Sequence, residues 1–413
     1  MAADHVSGPP SRLRDMSRRL VLDEVARSQP ISQAEIVRRT GLSRTTVASV
    51  VTEFADLGRI AVRTAGEPGG RGRPPRLLRL THGDQVVAGI DFDHAQMDVA
   101  LADLGGTILM ERNVPMDVDR SAADCLDAAA TTLREMITLA GASPLAVTMG
   151  VPGPVDRSSG EMRSGTILPG WVGSRPAVDL GERIGQPVVV ENDANLGAIG
   201  EHAYGVAREV DDLIYIKVSS GIGAGVILDG RLHRGARGTA GEIGHVQVSE
   251  DGALCRCGSR GCLETLSSTH AALDLLSASR GRRLTLTEMI SMVRAGDPGA
   301  VRLFTDMGTA IGRVVAAVSA NLDPAMIVVG GQVVDDPGPL INGISAAVRR
   351  YTQPYLAANL MVVGGTLGAR SGLLGALALS PSARPSPVKR RSAGTSRAMA
   401  ATAAPLSTSR AIP

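Results

Sequence analysis

Gly241-Glu-Ile-Gly-His245, then Cys255-Arg-Cys-Gly-Ser-Arg-Gly-Cys262 ten residues beyond the histidine, then Leu263-Glu264, is the stretch that decides how this chain is read. Three of the chain's four cysteines fall within those eight residues, interleaved with glycine. Thiolates and a neutral imidazole make a closed tetrahedral zinc site, and glycines let a short loop fold back so that every ligand faces one point. His245, Cys255, Cys257 and Cys262 are therefore expected to hold one structural Zn2+ per chain. The competing reading is three structural or accidental thiols. Cysteine is otherwise nearly absent, which favours the metal. Two carboxylates, Glu242 and Glu264, bracket the ligand set.

The chain has 413 residues, enough for two or three domains with a sizeable core. A hydrophobic content of 44% and a mean hydropathy of +0.10 describe a soluble globular composition. No apolar run reaches the ~20 residues a bilayer span needs, and the polar N-terminus lacks a signal-peptide core. A cytoplasmic, nucleoid-associated protein with no membrane partner is expected. The cysteine usage fits a reducing compartment and not a disulfide framework. Cys125, in the Ala-rich stretch 121–140, reads as a buried small apolar residue.

The net charge of +2 conceals an asymmetry. Residues 1–80 carry 14 arginines against 8 acids, and residues 381–413 carry six basic residues and no acid, which leaves the middle at −10. A basic head on an acidic body suits a head that meets an anionic polymer. The tail, 381–413, is rich in Pro, Ser and Ala without periodicity and reads as disordered.

In the head, Met16, Leu20, Val21 and Val25 share one face of a first helix ending near Gln29-Pro30. Ser32-Gln-Ala-Glu35 is a capping box that opens a second helix, with Ile36 and Val37 on its core side. Gly41 supplies a turn, Ser43 caps a third helix, and Val47, Val50, Val51, Phe54 and Leu57 give that helix an apolar stripe. Two helices joined through a glycine turn form the helix-turn-helix pattern. Ile60–Arg63 and Arg76–Leu80 read as two strands of a wing around Gly69-Gly-Arg-Gly-Arg-Pro-Pro75. Ser43, Arg44, Thr45, Thr46 and Ser49 lie on the non-core side of the third helix, within reach of phosphates and base edges. Arg71 and Arg73 sit at a wing tip resembling an AT-hook core, whose slim backbone fits a narrow minor groove. A three-helix bundle that binds protein is the alternative; the arginine-rich wing favours double-stranded DNA.

From Val86 onward the pattern changes to short β-like runs. Val86–Asp91, Met97–Ala102 and Thr107–Met110 read as three strands joined by tight turns. Further runs follow at 145–150, 187–191, 213–218, 224–228, 326–329 and 359–363, with helical stretches between several of them, so the body is α/β. Ile214–Leu228 echoes Ile90–Leu104, each a strand, a turn and a strand, which suggests two related lobes around a cleft. In the second copy, Val-Ser-Ser-Gly-Ile-Gly-Ala-Gly-Val (218–226) has hydroxyls and glycines able to present N–H groups to a phosphate, although hairpins need glycine too.

Gly-Glu-Ile-Gly-His (241–245), the Cys255-x-Cys257-Gly-x-x-Gly-Cys262-x-Glu264 run and Glu191-Asn-Asp-Ala-Asn195 together resemble the ROK family of repressors, open reading frames and sugar kinases. The resemblance spans roughly residues 84–380, and the head ahead of it resembles the repressor branch. It implies a two-lobed actin-like ATPase (sugar kinase) fold preceded by an N-terminal winged helix-turn-helix domain. It also implies that Asn192, Asp193, Glu242, His245 and Glu264 hold sugar hydroxyls, with the zinc fixing the tautomer of His245. Asp193 is the position of the general base in kinase members; its structural reading is an N-cap for a helix over 194–203. Trp171, in Leu-Pro-Gly-Trp (168–171), reads as either a sugar-side loop residue or a core residue. The family usually has an asparagine where Ile167 stands. Kinase members open the first lobe with Asp-x-Gly-Gly-Thr around the ATP phosphates. Here the stretch is Asp91-Phe-Asp93-His94-Ala95, without the glycines or the threonine, and with Asp93 turned against a polyanion. Like charges ~4 Å apart cost about 1 kcal/mol even in water.

The expected division is a winged helix-turn-helix head over 1–82, a body over 83–380 and the tail. Within the body, lobe 1 takes about 83–191 plus 367–380 and lobe 2 about 192–366. The expected function is that of a sugar-responsive transcriptional regulator, a repressor of carbohydrate uptake or metabolism genes. It acts as a homodimer or homotetramer on operator DNA, is controlled by a sugar or sugar phosphate, and is not an enzyme. The alternatives are an ATP-dependent sugar kinase with an appended DNA-binding domain and a zinc-organised assembly protein.

Overall fold

Two serines start the helices of the head. The computed structural model describes residues 17, 18, 20, 21, 24, 25, 30–56, 60–64, 76–80, 85–103, 106–162, 168–333 and 338–379. Strand β1 (Ile31–Ser32) leads into α1 (Gln33–Thr40), where the Ser32 hydroxyl accepts the Glu35 N–H at 3.2 Å, and Gly41 ends the helix at a φ of 70°. The capping box is only half formed. The Glu35 carboxylate takes Arg38 and Arg39, one turn further on, and does not return to the Ser32 N–H. Ser43 caps α2 (Arg44–Asp56) by accepting the Thr46 N–H at 3.0 Å. Val47, Val50, Val51 and Phe54 form the expected stripe and pack with Val21, Val25 and Ile36. Leu20 is 38% exposed, so the core face of the first helix is narrower than its sequence suggests. Strands β2 (Ile60–Thr64) and β3 (Arg76–Leu80) pair antiparallel, and β1 adds to the other side of β3. Met16, Leu57, the wing tip with Arg71 and Arg73, and the tail lie outside the described residues.

Two five-stranded sheets of one topology follow. The first is built from β4 (Gln85–Asp93), β5 (Gln96–Asp103), β6 (Ile108–Pro115), β7 (Ser143–Val151) and β8 (Val188–Asn192), in the order β6-β5-β4-β7-β8. The second is built from β9 (Leu213–Val218), β10 (Ile222–Leu228), β11 (Arg231–His233), β12 (Met326–Gly331) and β13 (Met361–Gly364), in the order β11-β10-β9-β12-β13. In each, three strands meander antiparallel and two more add in parallel beside the first. The sequence echo between Ile90 and Ile214 thus marks equivalent strands, β4 and β9. The short β11 and the extension of β6 to Pro115 were not expected.

Parallel neighbours need crossover connections, which helices supply. In the first lobe α3 (Ala122–Ala140) leads to β7, and α4 (Pro176–Ile184) to β8. After β8 comes α5 (Asp193–Ala203). In the second lobe α6 (Glu264–Ser267), α7 (Thr269–Arg280), α8 (Leu286–Arg294) and α9 (Pro298–Leu322) precede β12; α10 (Gly338–Tyr351) and α11 (Pro354–Asn359) precede β13, and α12 (Ser371–Leu379) closes the fold. One core lies under α3, with Phe92, Leu133, Met136 and Trp171 buried; another lies under α9, with Phe304, Ile311 and Ile344. Each such side chain contributes roughly 1.5–3 kcal/mol by leaving water. By length and composition α9 is apolar enough to cross a bilayer, contrary to expectation; it packs along α10 as a core helix, which accounts for its apolar face.

The helices that join the lobes are exchanged. Helix α5 follows the first sheet yet packs on β9 and β10, and α12 follows the second sheet yet packs on β4 and β7. The two also pack on one another. A methyl group at Gly200 would strike the Ser371 carbonyl oxygen, and one at Gly375 the Leu196 carbonyl oxygen. The Tyr215 and Ser371 hydroxyls meet at 2.8 Å across this seam, and the Leu367 N–H reaches the buried Glu201 carboxylate at 2.9 Å.

Candidate functional site

The cysteine loop is folded by its glycines. Gly258 and Gly261 take φ of 91° and 65°, left-handed values that disfavour other residues, and the Cys255 N–H donates to the Ser259 carbonyl at 2.7 Å. One donor atom each from His245, Cys255, Cys257 and Cys262 lies within 4.8 Å of all the others. The Cys257 and Cys262 sulfurs are 3.7 Å apart, and Cys255 Sγ is 3.6 Å from His245 Nδ1. Tetrahedral zinc–thiolate bonds of ~2.3 Å set the sulfurs about 3.8 Å apart, so this donor set fits that ion. His245 aims Nδ1 at the sulfurs and leaves Nε2 3.7 Å from Glu242 Oε2. Cys125 stands apart, wholly buried, its thiol pushed up to about 11 by burial and nearby acids.

Asn192, Asp193, Glu242, His245 and Glu264 line one cleft between the lobes. Its enclosed cavity is only about 50 Å³, and the rest of the cleft opens to solvent. Asn192, not Asp193, caps α5: its Oδ1 accepts the Ala194 and Asn195 N–H groups at 2.9 and 3.1 Å. Asp193 is the first helical residue, which corrects its reading as the cap, and its Oδ1 takes the Ala194 N–H at 2.7 Å. Glu264 accepts the Ile222 N–H at 3.2 Å and lies 3.3 Å from Arg256 Nε. Burial, with Asp193 and Glu264 close by, pushes Glu242 up to about 7. Trp171 takes the core alternative: it is fully buried, donates Nε1–H to the Val118 carbonyl at 2.7 Å and meets Phe92 edge-on. Ile167 lies outside the described residues.

Two residues of the cleft escaped the sequence reading. Lys217, on β9, places Nζ 2.7 Å from Asp193 Oδ2, both side chains being largely buried. Burial opposes the charge on Lys217, but Asp193, Asp93 and Asp91 outweigh it and hold the ammonium above its usual range. The signal was present: Lys217 is the one charged side chain in Leu-Ile-Tyr-Ile-Lys-Val, a strand otherwise buried. His94, in the β4–β5 turn, also lines the cleft and sets Nδ1 2.5 Å from Asp119 Oδ1.

Behind Lys217 a second cavity is lined by Asp91, Asp93, Gln96, Asp98 and Gln332. Burial raises the Asp91 carboxyl well above its usual range, and its Oδ1 has no partner. Asp93 is half-buried, which opposes ionisation, yet the Lys217 charge and the His94 N–H hold it below the usual range. It accepts that N–H at 2.8 Å and the Gln332 amide at 3.1 Å across the lobes. The turn Asp93-His94-Ala95 thus presents a carboxylate and an imidazole in place of free N–H groups. Asp193 is held in an ion pair with Lys217, so its carboxylate is already occupied.

On the head, Ser43, Arg44, Thr45 and Ser49 are exposed and Thr46 is half-buried, all at the start of α2. The Ser43 hydroxyl lies 2.8 Å from those of Thr45 and Thr46. This makes a short polar ridge with one guanidinium.

Fold and site define a two-lobed, sugar-kinase-like body with a winged-helix head. The chain belongs to the ROK family, which residues 87–383 match, and residues 16–72 match the MarR family. The xylose repressor of Bacillus subtilis is 27% identical over 366 residues, covering 88% of this chain and 94% of that one. A crystal structure of a ROK family transcriptional regulator, a homologue of the E. coli MLC protein, shares the fold with a TM-score of 0.64 at 24% identity, over 88% of this chain and 95% of that one. A ROK family glucokinase from Streptomyces griseus, in complex with glucose and AMPPNP, gives 0.63 at 29% identity, over 71% of this chain and 99% of that one.

Proposed function

We propose that this chain is a sugar-responsive transcriptional repressor of carbohydrate uptake or metabolism genes, acting in the cytoplasm at the nucleoid as a homodimer or homotetramer. The head, residues 1–82, holds operator DNA through Ser43, Arg44, Thr45, Thr46 and Ser49 of α2 and through Arg71 and Arg73 of the wing. The body, residues 83–380, takes the effector in the cleft. Asn192, Asp193, Glu242, His245 and Glu264 hold its hydroxyls, with lobe 1 over about 83–191 plus 367–380 and lobe 2 over about 192–366. His245, Cys255, Cys257 and Cys262 hold a zinc ion that keeps the proton of His245 on Nε2, as a donor toward the cleft.

The observation that carries this reading is the Lys217–Asp193 pair. It leaves a polar cleft fit for hydroxyls but ties up the carboxylate a kinase would use as its base. The body then works as a receptor. A ligand with different affinity for two lobe arrangements changes the setting of the heads without chemistry. Similarity to the xylose repressor along most of both chains supports the DNA-binding half. Titrating operator DNA with and without sugars tests it. Couplings of this kind amount to ~1–3 kcal/mol, so the active sugar should shift DNA affinity by roughly 5- to 150-fold. Constant DNA affinity across all sugars would remove the receptor role.

A further inference from the structure

Phosphate is bound in proteins by an unpaired ammonium or guanidinium, by a free helix N-terminus or by the N–H groups of a turn. In this cleft, among the described residues, the cations and the N-terminus of α5 are already committed, and of the glycine turn the Ser219 and Ile222 N–H groups go to the Gly221 carbonyl and Glu264. Lys217 Nζ lies 2.7 Å from Asp193 Oδ2, and Asp91 and Asp93 line the same cavity. His94 is held by Asp119 at 2.5 Å, Arg256 lies 3.3 Å from Glu264, and Arg234 lies 2.6 Å from Glu191. The N-terminus of α5 is closed by the Asn192 amide oxygen and the Asp193 carboxylate. Further acids line both sides of Lys217: Glu242 in the cleft, Asp93 and Asp98 behind it.

We infer that the effector is an uncharged polyhydroxyl compound, and that the carboxylates around Lys217, Asp93 foremost, exclude its phosphorylated form. The inference rests on the cleft being the effector site. A hydroxyl donates to a carboxylate and accepts from an ammonium without adding charge, so a neutral sugar fits the pattern as it stands. A phosphate brings only acceptors and two negative charges to a place whose cations are taken. One unit repulsion at ~4 Å near a protein surface corresponds to roughly 100-fold or more in affinity.

Isothermal titration of the purified full-length chain tests this directly. The probes are aldohexoses, aldopentoses and N-acetylhexosamines, including glucose, xylose and N-acetylglucosamine, each against its own terminal phosphate at matched ionic strength. The expected result is a neutral sugar that binds and a phosphate ester at least ~100-fold weaker. Asp93→Asn removes one charge while keeping an acceptor for the His94 N–H, and should narrow that ratio at least 10-fold; Asp98→Asn provides a second variant should the first fold poorly. Tighter binding of a phosphorylated sugar overturns the inference and leaves the receptor reading standing. An unchanged ratio in both variants overturns the role of these carboxylates. If neither form of any sugar binds, the receptor reading falls and the inference with it.

Discussion

Lys217→Met removes the one ammonium from a buried group of carboxylates. The Lys217 and Asp193 side chains are 14% and 12% exposed and 2.7 Å apart, so water screens their pairing poorly. Taking away one partner of such a pair costs ~3–5 kcal/mol, because the survivor is left charged and dry. Asp193 would then share the cavity with Asp93 and no counter-ion. Asp193→Asn should cost less, since Lys217 keeps Asp93 as a partner. In the double variant the loss should fall short of the sum by at least ~1 kcal/mol, the signature of two groups acting through one another. For a body of this size each kcal/mol lowers Tm by about 2 °C, so Lys217→Met should melt roughly 6–10 °C below the parent. Differential scanning calorimetry of the four proteins, with DNA titration confirming an intact head, gives the cycle. A Lys217→Met protein melting within 2 °C of the parent, or strictly additive losses, would refute the buried pair.

Four further outcomes are expected. Cys257→Ser should lose metal, about one ion per chain in the parent by elemental analysis, together with the sugar response; a metal-free parent that binds sugar normally would contradict this. Arg44→Ala should weaken DNA binding across sequences and reduce the salt slope by about one, whereas alanine at Arg71 or Arg73 should weaken A·T-rich sites most; a triple variant that binds like the parent would remove the head's assignment. In a coupled assay over a hexose panel, ATP turnover should stay far below the ~1–100 per second of working kinases, and turnover in that range would restore the kinase reading. Asp93 ionises more readily folded than unfolded, so its contribution is full above the unfolded carboxyl pKa of ~3.9 and fades as pH falls through the lower folded value. Acid unfolding of Asp93→Asn should therefore show a shallower pH dependence, and a curve parallel to the parent's would exclude that linkage.

The fold was legible wherever periodicity and turn chemistry agreed. Ser43, the Val47–Phe54 stripe and the strand echo at Ile90 and Ile214 carried it. Local competition hid the rest: Glu35 has two arginines within one turn, and their ion pairs displaced the second half of a capping box that its spacing announced. Asn192 and Asp193 are adjacent and chemically equivalent as caps, so sequence could not say which one closes α5 and which one meets Lys217. The candidate metal donors were readable because three of them lie within one short loop and the fourth only ten residues ahead of it. Lys217 and Asp193 are 24 residues apart on different elements, and only folding brings them together.

The seam between α5 and α12 has a consequence of its own. Gly200 and Gly375 bring main chain against main chain, so at these two points the junction has no room for a side chain, and on the proposed reading it would be a bearing about which one half of the body turns on the other. A single added methyl would act as a shim, wedging the halves at a fixed angle. On the proposed reading, a signal passing from cleft to DNA would then be jammed in transit, with sugar and operator each still able to bind at its own end.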